Sequence, residues 1–186
     1  SADVDGIAKV ASREDIPLVE DACESVGATL GGQALGTLGI AGAMSFDHGK
    51  MMTTGEGGLV LTNDESADRI AREYHDHGHE NNPDVPRGRD TRSRPGFNYR
   101  MTELQAAVGK AQLKKLPAML EANRERAEAL REGLAGAFQW RFIPVACTPT
   151  HDTSILLEPD PTLRQQMVAL LTDEGFGTKN LPDALQ

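Results

Sequence analysis

One lysine carries most of the chemical information in this chain. Lys50 closes the run Ser45-Phe46-Asp47-His48-Gly49-Lys50, and upstream of it the apolar stretch Ile16-Pro-Leu-Val19 ends in the acids Glu20-Asp21. An amine and a carboxylate in such a setting suit one kind of chemistry. The amine condenses with an aldehyde to a Schiff base, and the carboxylate keeps a pyridine nitrogen protonated so that the ring can accept electrons. An apolar strand ending in an acid, then small residues, then Ser-Phe-x-x-x-Lys is what a pyridoxal 5′-phosphate site needs. A lysine by itself is a solvated surface charge; the company Lys50 keeps sets it apart.

The elements that must position these residues follow from periodicity. Residues 4–12 carry apolar side chains at helical spacing, and residues 16–20 read as a short buried strand. A helix followed by a parallel strand is the unit of an α/β sheet. Residues 22–28 are small and can pass close to a ligand, while Gly31-Gly32, Gly36 and Gly39 mark turns. Residues 41–46 read as the strand leading into Lys50, residues 59–62 as a strand closing on Asn63-Asp64, and residues 66–74 as a short helix. Thr54-Gly-Glu-Gly-Gly58 reads either as tight-turn glycines or as a weak phosphate signal.

Residues 101–116 are again helical, with Thr102 as N-cap, and Pro117 suits the start of a second helix over 118–134. Residues 140–145 and 154–157 read as strands and 161–173 as a helix. The shift in apolar density near 117–135 places a large domain at 1–116, a connecting helix at 117–136 and a smaller domain at 137–186. No internal repeat is evident.

Composition sets the outer limits. At 186 residues, with 39% hydrophobic and 25% charged side chains, the chain is expected to be soluble and globular, one domain or a little more. A net charge of −9 argues against a nucleic-acid surface, with Arg87, Arg89, Arg92 and Arg94 as a local exception. Cys23 and Cys147 read as two reduced thiols and not as a disulfide framework. No apolar run approaches the ~18 residues of a membrane span, and no cationic-then-apolar leader opens the chain. A cytoplasmic protein is expected. The first and last residues read like the interior of an α/β protein, so a piece of a longer polypeptide is expected too.

Five blocks, in order and spacing, bring a family into view. They are Val19-Glu-Asp-Ala-Cys-Glu-Ser-Val-Gly-Ala28, Gly36-Thr-Leu-Gly39, Ser45-Phe-x-x-x-Lys50, Gly55-Glu-Gly-Gly58 with Leu61-Thr-Asn-Asp64, and Gly96-Phe-Asn-Tyr-Arg-Met-Thr-Glu-Leu-Gln-Ala-Ala107. Together they resemble the DegT/DnrJ/EryC1/StrS sugar aminotransferases over nearly the whole chain. The resemblance implies the three-layer α/β large domain of the aspartate aminotransferase type, here incomplete, followed by the start of a small α+β domain.

It also implies roles. Lys50 is the Schiff-base lysine and general acid/base, Asp21 pairs with the pyridinium nitrogen, and Ser45 hydrogen-bonds the cofactor phosphate. Asn98 and Arg100 reach the phosphate of the neighbouring subunit, in a homodimer with shared active sites; without the resemblance Asn98 reads as a turn residue. Glu24 departs from the commonest pattern, a glutamine or histidine against the ring hydroxyl, and is expected to share a proton with the ring oxygen. His48, Arg87 and Arg92 are the expected substrate contacts, since guanidinium groups suit a carboxylate or phosphate.

Residues 75–95 have no periodicity, and read as a disordered excursion or a functional loop. His75, His77 and His79, with Asp76 or Glu80, have a spacing that zinc or nickel could use. No cysteine lies nearby and a polar loop commonly exposes histidines, so no metal is expected.

The implied reaction is transfer of an amino group from an amino acid, L-glutamate in the main expectation, to a keto sugar, most often nucleotide-linked. The His-rich loop and the Gly-Thr-Lys-Asn-Leu-Pro-Asp segment at 177–183 resemble a subgroup acting on other keto sugars, including octulosonates. Some members of the family are dehydratases with histidine in place of the lysine; Lys50 argues against that reading here. A non-catalytic remnant of the fold is the third reading. The family's phosphate loop and ring-stacking side chain precede the region covered here, so this stretch alone is expected to be inactive.

Overall fold

The computed structural model describes residues 3–92 and 94–178; the 177–183 segment lies beyond the described residues from position 179 onward. Helix α1 (Val4–Arg13) starts where the Asp3 carboxylate accepts the Gly6 N–H at 3.0 Å, and Arg13 sits in its last turn, so both ends answer the helix dipole. The chain turns at Asp15, in the left-handed region, into strand β1 (Val19–Asp21).

That strand is shorter than expected and is not buried: Val19 is 65% exposed. Pro17 has no N–H for a ladder, so pairing begins only beyond it. Among the described residues β1 has one neighbour, β4 (Ala41–Ser45), which leaves its other edge uncovered.

β1 and β4 run parallel, with Asp21 beside Ala43, so both strands end on the same side of the sheet. β5 (Gly58–Thr62) returns antiparallel to β4, with Ser45 opposite Gly58. Residues 46–57 therefore form a connection at the edge where β1 also ends. Helix α2 (Glu65–His75) is capped by Asp64, which accepts the Ala67 N–H at 2.7 Å, and it packs on β5.

Between β1 and β4 the chain forms a small sheet that periodicity does not reveal. β2 (Thr29–Leu30) and β3 (Gln33–Ala34) make a hairpin through Gly31-Gly32, both at positive φ, and β7 (Cys147–Thr148) pairs with the other edge of β2. Two paired glycines at positive φ are what a tight hairpin turn demands. Ala28, Leu30 and Leu35 form the core there, with Val4, Leu38 and Cys147 packed against it.

Glu20 ties β1 to the turn that follows this hairpin. One carboxylate oxygen accepts the Gly36 N–H at 2.8 Å; the other accepts the N–H groups of Leu38 at 2.5 Å and Gly39 at 2.8 Å. Three turn donors that would otherwise lack protein partners are thus met by one charged acceptor. The approach is close: Gly36 has φ +89°, and a Cβ on Gly42 would collide with the Gly36 carbonyl.

Helix α3 (Glu103–Gly133) opens with a capping box. Thr102 Oγ1 accepts the Gln105 N–H at 3.3 Å, and Gln105 Oε1 accepts the Thr102 N–H at 2.9 Å. The expected helix start at Pro117 is not seen; α3 runs through it unbroken. Proline has a helical φ, and what it removes is one N–H that would meet the Leu113 carbonyl. Leu113 is exposed, so water can serve that carbonyl, and the flanking Ala, Leu, Lys, Glu and Arg residues favour helix.

The chain divides into two compact units, the first holding residues up to 126 together with 143–152, the second holding 127–142 and the residues from 153. The second unit pairs β6 (Gln139–Trp140) with β8 (Leu156–Leu157) and carries α4 (Pro161–Asp173), capped by Asp160. Arg131 lies over the Trp140 ring at 4.7 Å. The strand expected over 140–145 is only β6, because Pro144 ends any ladder, and the two-residue β6 in turn limits β8. Among the described residues no helix is long and apolar enough to cross a membrane.

Glu20→Ala is expected to lower the unfolding free energy by about 2–4 kcal/mol, the scale of losing several charge-assisted hydrogen bonds from a partly buried site. Urea denaturation measures it; an unchanged midpoint would mean that water serves the three N–H groups equally well.

Candidate functional site

The edge where β1 and β4 end is built by nested turns. Ser45 Oγ accepts the Asp47 N–H at 3.3 Å, Asp47 Oδ1 accepts the Gly49 N–H at 2.6 Å, and the Asp47 carbonyl accepts the Lys50 N–H at 3.1 Å. Phe46, buried, anchors this turn: its N–H donates to the Gly57 carbonyl and its carbonyl accepts from Thr54. Helix α3 backs the same connection, since Gln105 Nε2 donates to the Glu56 carbonyl at 2.8 Å. The backbone of Lys50 is thereby fixed relative to the ends of both strands.

Its side chain is 22% exposed and Nζ lies 3.0 Å from Glu24 Oε1, in a direct ion pair. Glu24 follows β1 by three residues and Lys50 follows β4 by five, so the contact joins the loops that leave two parallel neighbours. Such C-terminal strand ends are where α/β sheets place their ligands. Glu24, through its hydrogen bond and then its charge, raises the proton affinity of Lys50 above the ordinary lysine value, with Asp47 adding to it and burial opposing.

Asp21 ends β1, exposed, and its Oδ1 accepts the Cys23 N–H at 3.1 Å. Cys23, through its thiol and then its backbone, holds the Asp21 carboxyl below the usual carboxylate range; the charge of Lys50 acts in the same direction. The same contact pushes the Cys23 thiol up, so that sulfur stays protonated. His48 projects into solvent, 87% exposed, beside Asp47 at 3.3 Å. Asp21, Glu24, Ser45, His48 and Lys50 are therefore gathered at one sheet edge.

The other expected residues are gathered elsewhere, on Asp76 and His79 of the 75–100 loop. Arg87 Nη2 lies 2.5 Å from Asp76 Oδ1, and Arg100 Nη1 binds the same oxygen. Asn98 bridges Asp76 through the backbone. Arg92 Nη2 donates to His79 Nε2 at 3.2 Å, and His79 Nδ1 meets Asp90 Oδ1 at 2.8 Å. Arg94 lies 2.9 Å from the buried Glu73. Among the described residues no hydrogen bond or ion pair joins this group to Lys50.

The loop is thus a strapped segment, with Asp76 and His79 buried inside it and Arg94 tied back to the buried Glu73 of α2. The arginines expected as ligand contacts instead have internal partners, Asp76 for Arg87 and Arg100 and His79 for Arg92. The local signal for such pairing is the presence of the acids Asp76 and Asp90 in the same polar stretch. Burial pushes the Asp76 carboxyl up, but Arg100 and then Arg87 outweigh it and hold the group below its ordinary value. His79 does the same to Asp90. Of the three loop histidines, His75 contacts the Arg72 carbonyl, while the His77 and His79 rings meet edge to face at 6.4 Å with His79 held by Asp90, and among the described residues no cluster suited to a metal is formed.

Asp76→Asn is expected to cost about 1–3 kcal/mol at neutral pH, below the figure for a fully buried pair because Arg87 and Arg100 are partly hydrated. The pH dependence follows from the lowered folded value of Asp76. Its contribution is complete above the ordinary carboxylate value, about 4, and is lost as pH falls through the folded one. The variant should show a flatter acid limb below about pH 4 in urea titrations; parallel limbs would overturn the assignment.

Comparison with known proteins adds a family. Residues 1–182 match the model described as the DegT/DnrJ/EryC1/StrS aminotransferase family. A GDP-perosamine synthase of Caulobacter vibrioides is 43% identical over 124 residues, 67% of this chain and 32% of that enzyme. The crystal structure of the aminotransferase TlmJ from Streptoalloteichus hindustanus superposes with a TM-score of 0.85 at 27% identity, over 96% of this chain and 48% of TlmJ. An E. coli GDP-4-keto-6-deoxy-D-mannose-3-dehydratase with bound hydrated PLP superposes with a TM-score of 0.78 at 29% identity, over 92% of this chain and 48% of that one. The chain spans a third to about half the length of such relatives.

Proposed function

This chain belongs to the DegT/DnrJ/EryC1/StrS aminotransferase family, and from that premise we propose that it carries the lysine-bearing half of a pyridoxal 5′-phosphate-dependent sugar aminotransferase. The observation that carries the reading is the placement of Lys50 and Asp21 at the adjoining ends of two parallel strands. The donor set fits the cofactor: a primary amine, a carboxylate held anionic, and the Ser45 hydroxyl where β4 ends. Lys50 would hold it covalently, Asp21 would face its ring nitrogen and Ser45 its phosphate. The bound cofactor supplies an electron sink that stabilises negative charge on the substrate carbon.

The residues of the chain do the rest. Lys50 Nζ accepts a proton at one carbon and returns it at another, a task that requires the amine to be neutral when it acts. Asp21, anionic, would keep a proton on a ring nitrogen bound beside it, because separating that proton from the carboxylate would cost their charge pairing. The sugar is a nucleotide-linked keto-6-deoxyhexose and the donor an amino acid, L-glutamate in the simplest case. What supports this is the name of the GDP-perosamine synthase relative. A dehydratase reading has support in the E. coli relative, but a primary amine at position 50 favours covalent transamination over that reaction.

We place the protein in the cytoplasm, where nucleotide sugars are found. We also read it as a homodimer in which Asn98 and Arg100 serve the neighbouring subunit, with His48, Arg87 and Arg92 lining the substrate entrance. What supports the dimer is the exposed aromatic cluster of Tyr74, Phe97 and Tyr99, whose ring centroids lie 5.5–6.2 Å apart. Exposed aromatic patches mark association surfaces.

The test incubates the protein carrying this chain with pyridoxal 5′-phosphate, L-glutamate and a GDP-4-keto-6-deoxyhexose, and follows 2-oxoglutarate and the aminated sugar. Lys50→Ala should lower turnover by at least about 10²–10⁴-fold, the contribution of positioned proton transfer. A deoxygenated, unaminated product would support the dehydratase. Phe97→Asp should shift sedimentation towards a monomer; an unaltered dimer would remove the aromatic cluster from that interface.

A further inference from the structure

Lys50 must lose its proton before it can attack any carbonyl, so whatever governs that proton governs the site. Four groups lie around the amine: Glu24 and Cys23 from the loop after β1, Asp21 at the end of β1, and Asp47 from its own turn. Three of them have other partners or carry no charge. Asp21 Oδ1 accepts from the Cys23 N–H, Asp47 Oδ1 accepts from Gly49 and lies against His48, and the Cys23 thiol stays protonated. Among the described residues Glu24 is the one anion in hydrogen-bonding contact with the ammonium, at 3.0 Å.

We propose that Glu24 is the residue that sets when Lys50 becomes a nucleophile: its carboxylate holds the ammonium, and the amine is released only as that pair gives up its proton. Glu24 thus acts through Lys50, as a positioning residue and not a catalytic one. Its side chain is 77% exposed while that of Lys50 is 22% exposed, so the carboxylate can swing into solvent once the amine is neutral and the pairing has gone. Asp47, Asp21 and Cys23 act on the amine electrostatically and are not hydrogen-bonded to it in this geometry. Only the link to pyridoxal 5′-phosphate rests on the function proposed above; control of the amine does not.

The experiment is competitive acetylation of the intact protein with trace acetic anhydride across pH, read lysine by lysine by peptide mass spectrometry. The neutral amine attacks the anhydride carbonyl, acetate leaves and the proton passes to solvent, so the rate reports the unprotonated fraction. Lys9 in the same sample is the internal reference. In Glu24→Gln the Lys50 profile should move to lower pH and its rate at neutral pH should rise several-fold, while Lys9 is unmoved. Asp47→Asn should give a smaller displacement in the same direction. Superimposable Lys50 profiles for parent and Glu24→Gln would overturn the proposal, as would a larger effect from Asp47→Asn.

Parallel samples receive pyridoxal 5′-phosphate and then borohydride. The amine adds to the aldehyde carbon with loss of water, and the hydride reduces the new carbon–nitrogen bond. Capture on Lys50 should follow the acetylation profile and shift with it in Glu24→Gln. A shifted acetylation profile with no pyridoxal adduct on Lys50 in any variant would support control by Glu24 and sink the cofactor reading.

Discussion

The parallel pairing of β1 with β4 is the constraint on which the rest of this chain depends. Because Asp21 lies beside Ala43, the loops that leave the two strands emerge on one side and adjacent to each other. An antiparallel pair would have sent them to opposite ends of the sheet. The hydrogen-bonded turns from Ser45 to Lys50 then convert a strand end into a fixed origin for a long, flexible side chain. Glu20 contributes from below by holding the 36–39 turn, whose Gly36 carbonyl presses on Gly42 within β4. Short strands of this kind have little ladder of their own, and the charged acceptor inside β1 offsets that weakness.

Two kinds of electrostatics coexist in the molecule. Around Lys50 the charges are partly exposed and few, so protonation there responds to single neighbours. In the 75–100 loop the acids are buried and the arginines partly hydrated, an arrangement that fixes shape because a buried carboxylate without a partner is costly. The loop has no regular secondary structure to satisfy it, and ion pairs take that role. Arg87, Arg92, Arg94 and Arg100 are consequently committed to internal partners in this conformation. A substrate anion would have to compete with Asp76 for Arg87 or share the guanidinium's remaining donors.

The apolar surface follows the same division. The buried apolar side chains include Ala22, Ala28, Leu30, Leu35, Phe46 and Met52, of which Ala28, Leu30 and Leu35 form one cluster. Others, Val19, Val60, Phe97 and Tyr99, remain exposed. The first group holds the site in place, and the second is surface on which further protein can pack.

Local chemistry made part of this legible before any coordinates. Thr102 is legible as a helix cap because a short polar side chain meets free N–H groups one turn ahead, and helical spacing marks α1, α2 and α4 close to their observed limits, while the caps Asp64 and Asp160 emerge from the structure. The pairing of an acid-ended strand with Ser-Phe-x-x-x-Lys located Asp21, Ser45 and Lys50, since an order of residues along the chain survives folding into parallel strands. Other features were decided only by contacts distant in sequence. The unbroken passage of α3 through Pro117, the exposure of β1, the two-residue strands and the capture of Arg87, Arg92 and Arg100 by Asp76 and His79 all depend on neighbours that no local pattern names. Sequence by itself determined which groups could react and roughly which elements carry them. Tertiary structure decided which charges meet, because an ion pair depends on distance in space, and Glu24 and Lys50 are brought to 3.0 Å by a sheet register that neither residue encodes.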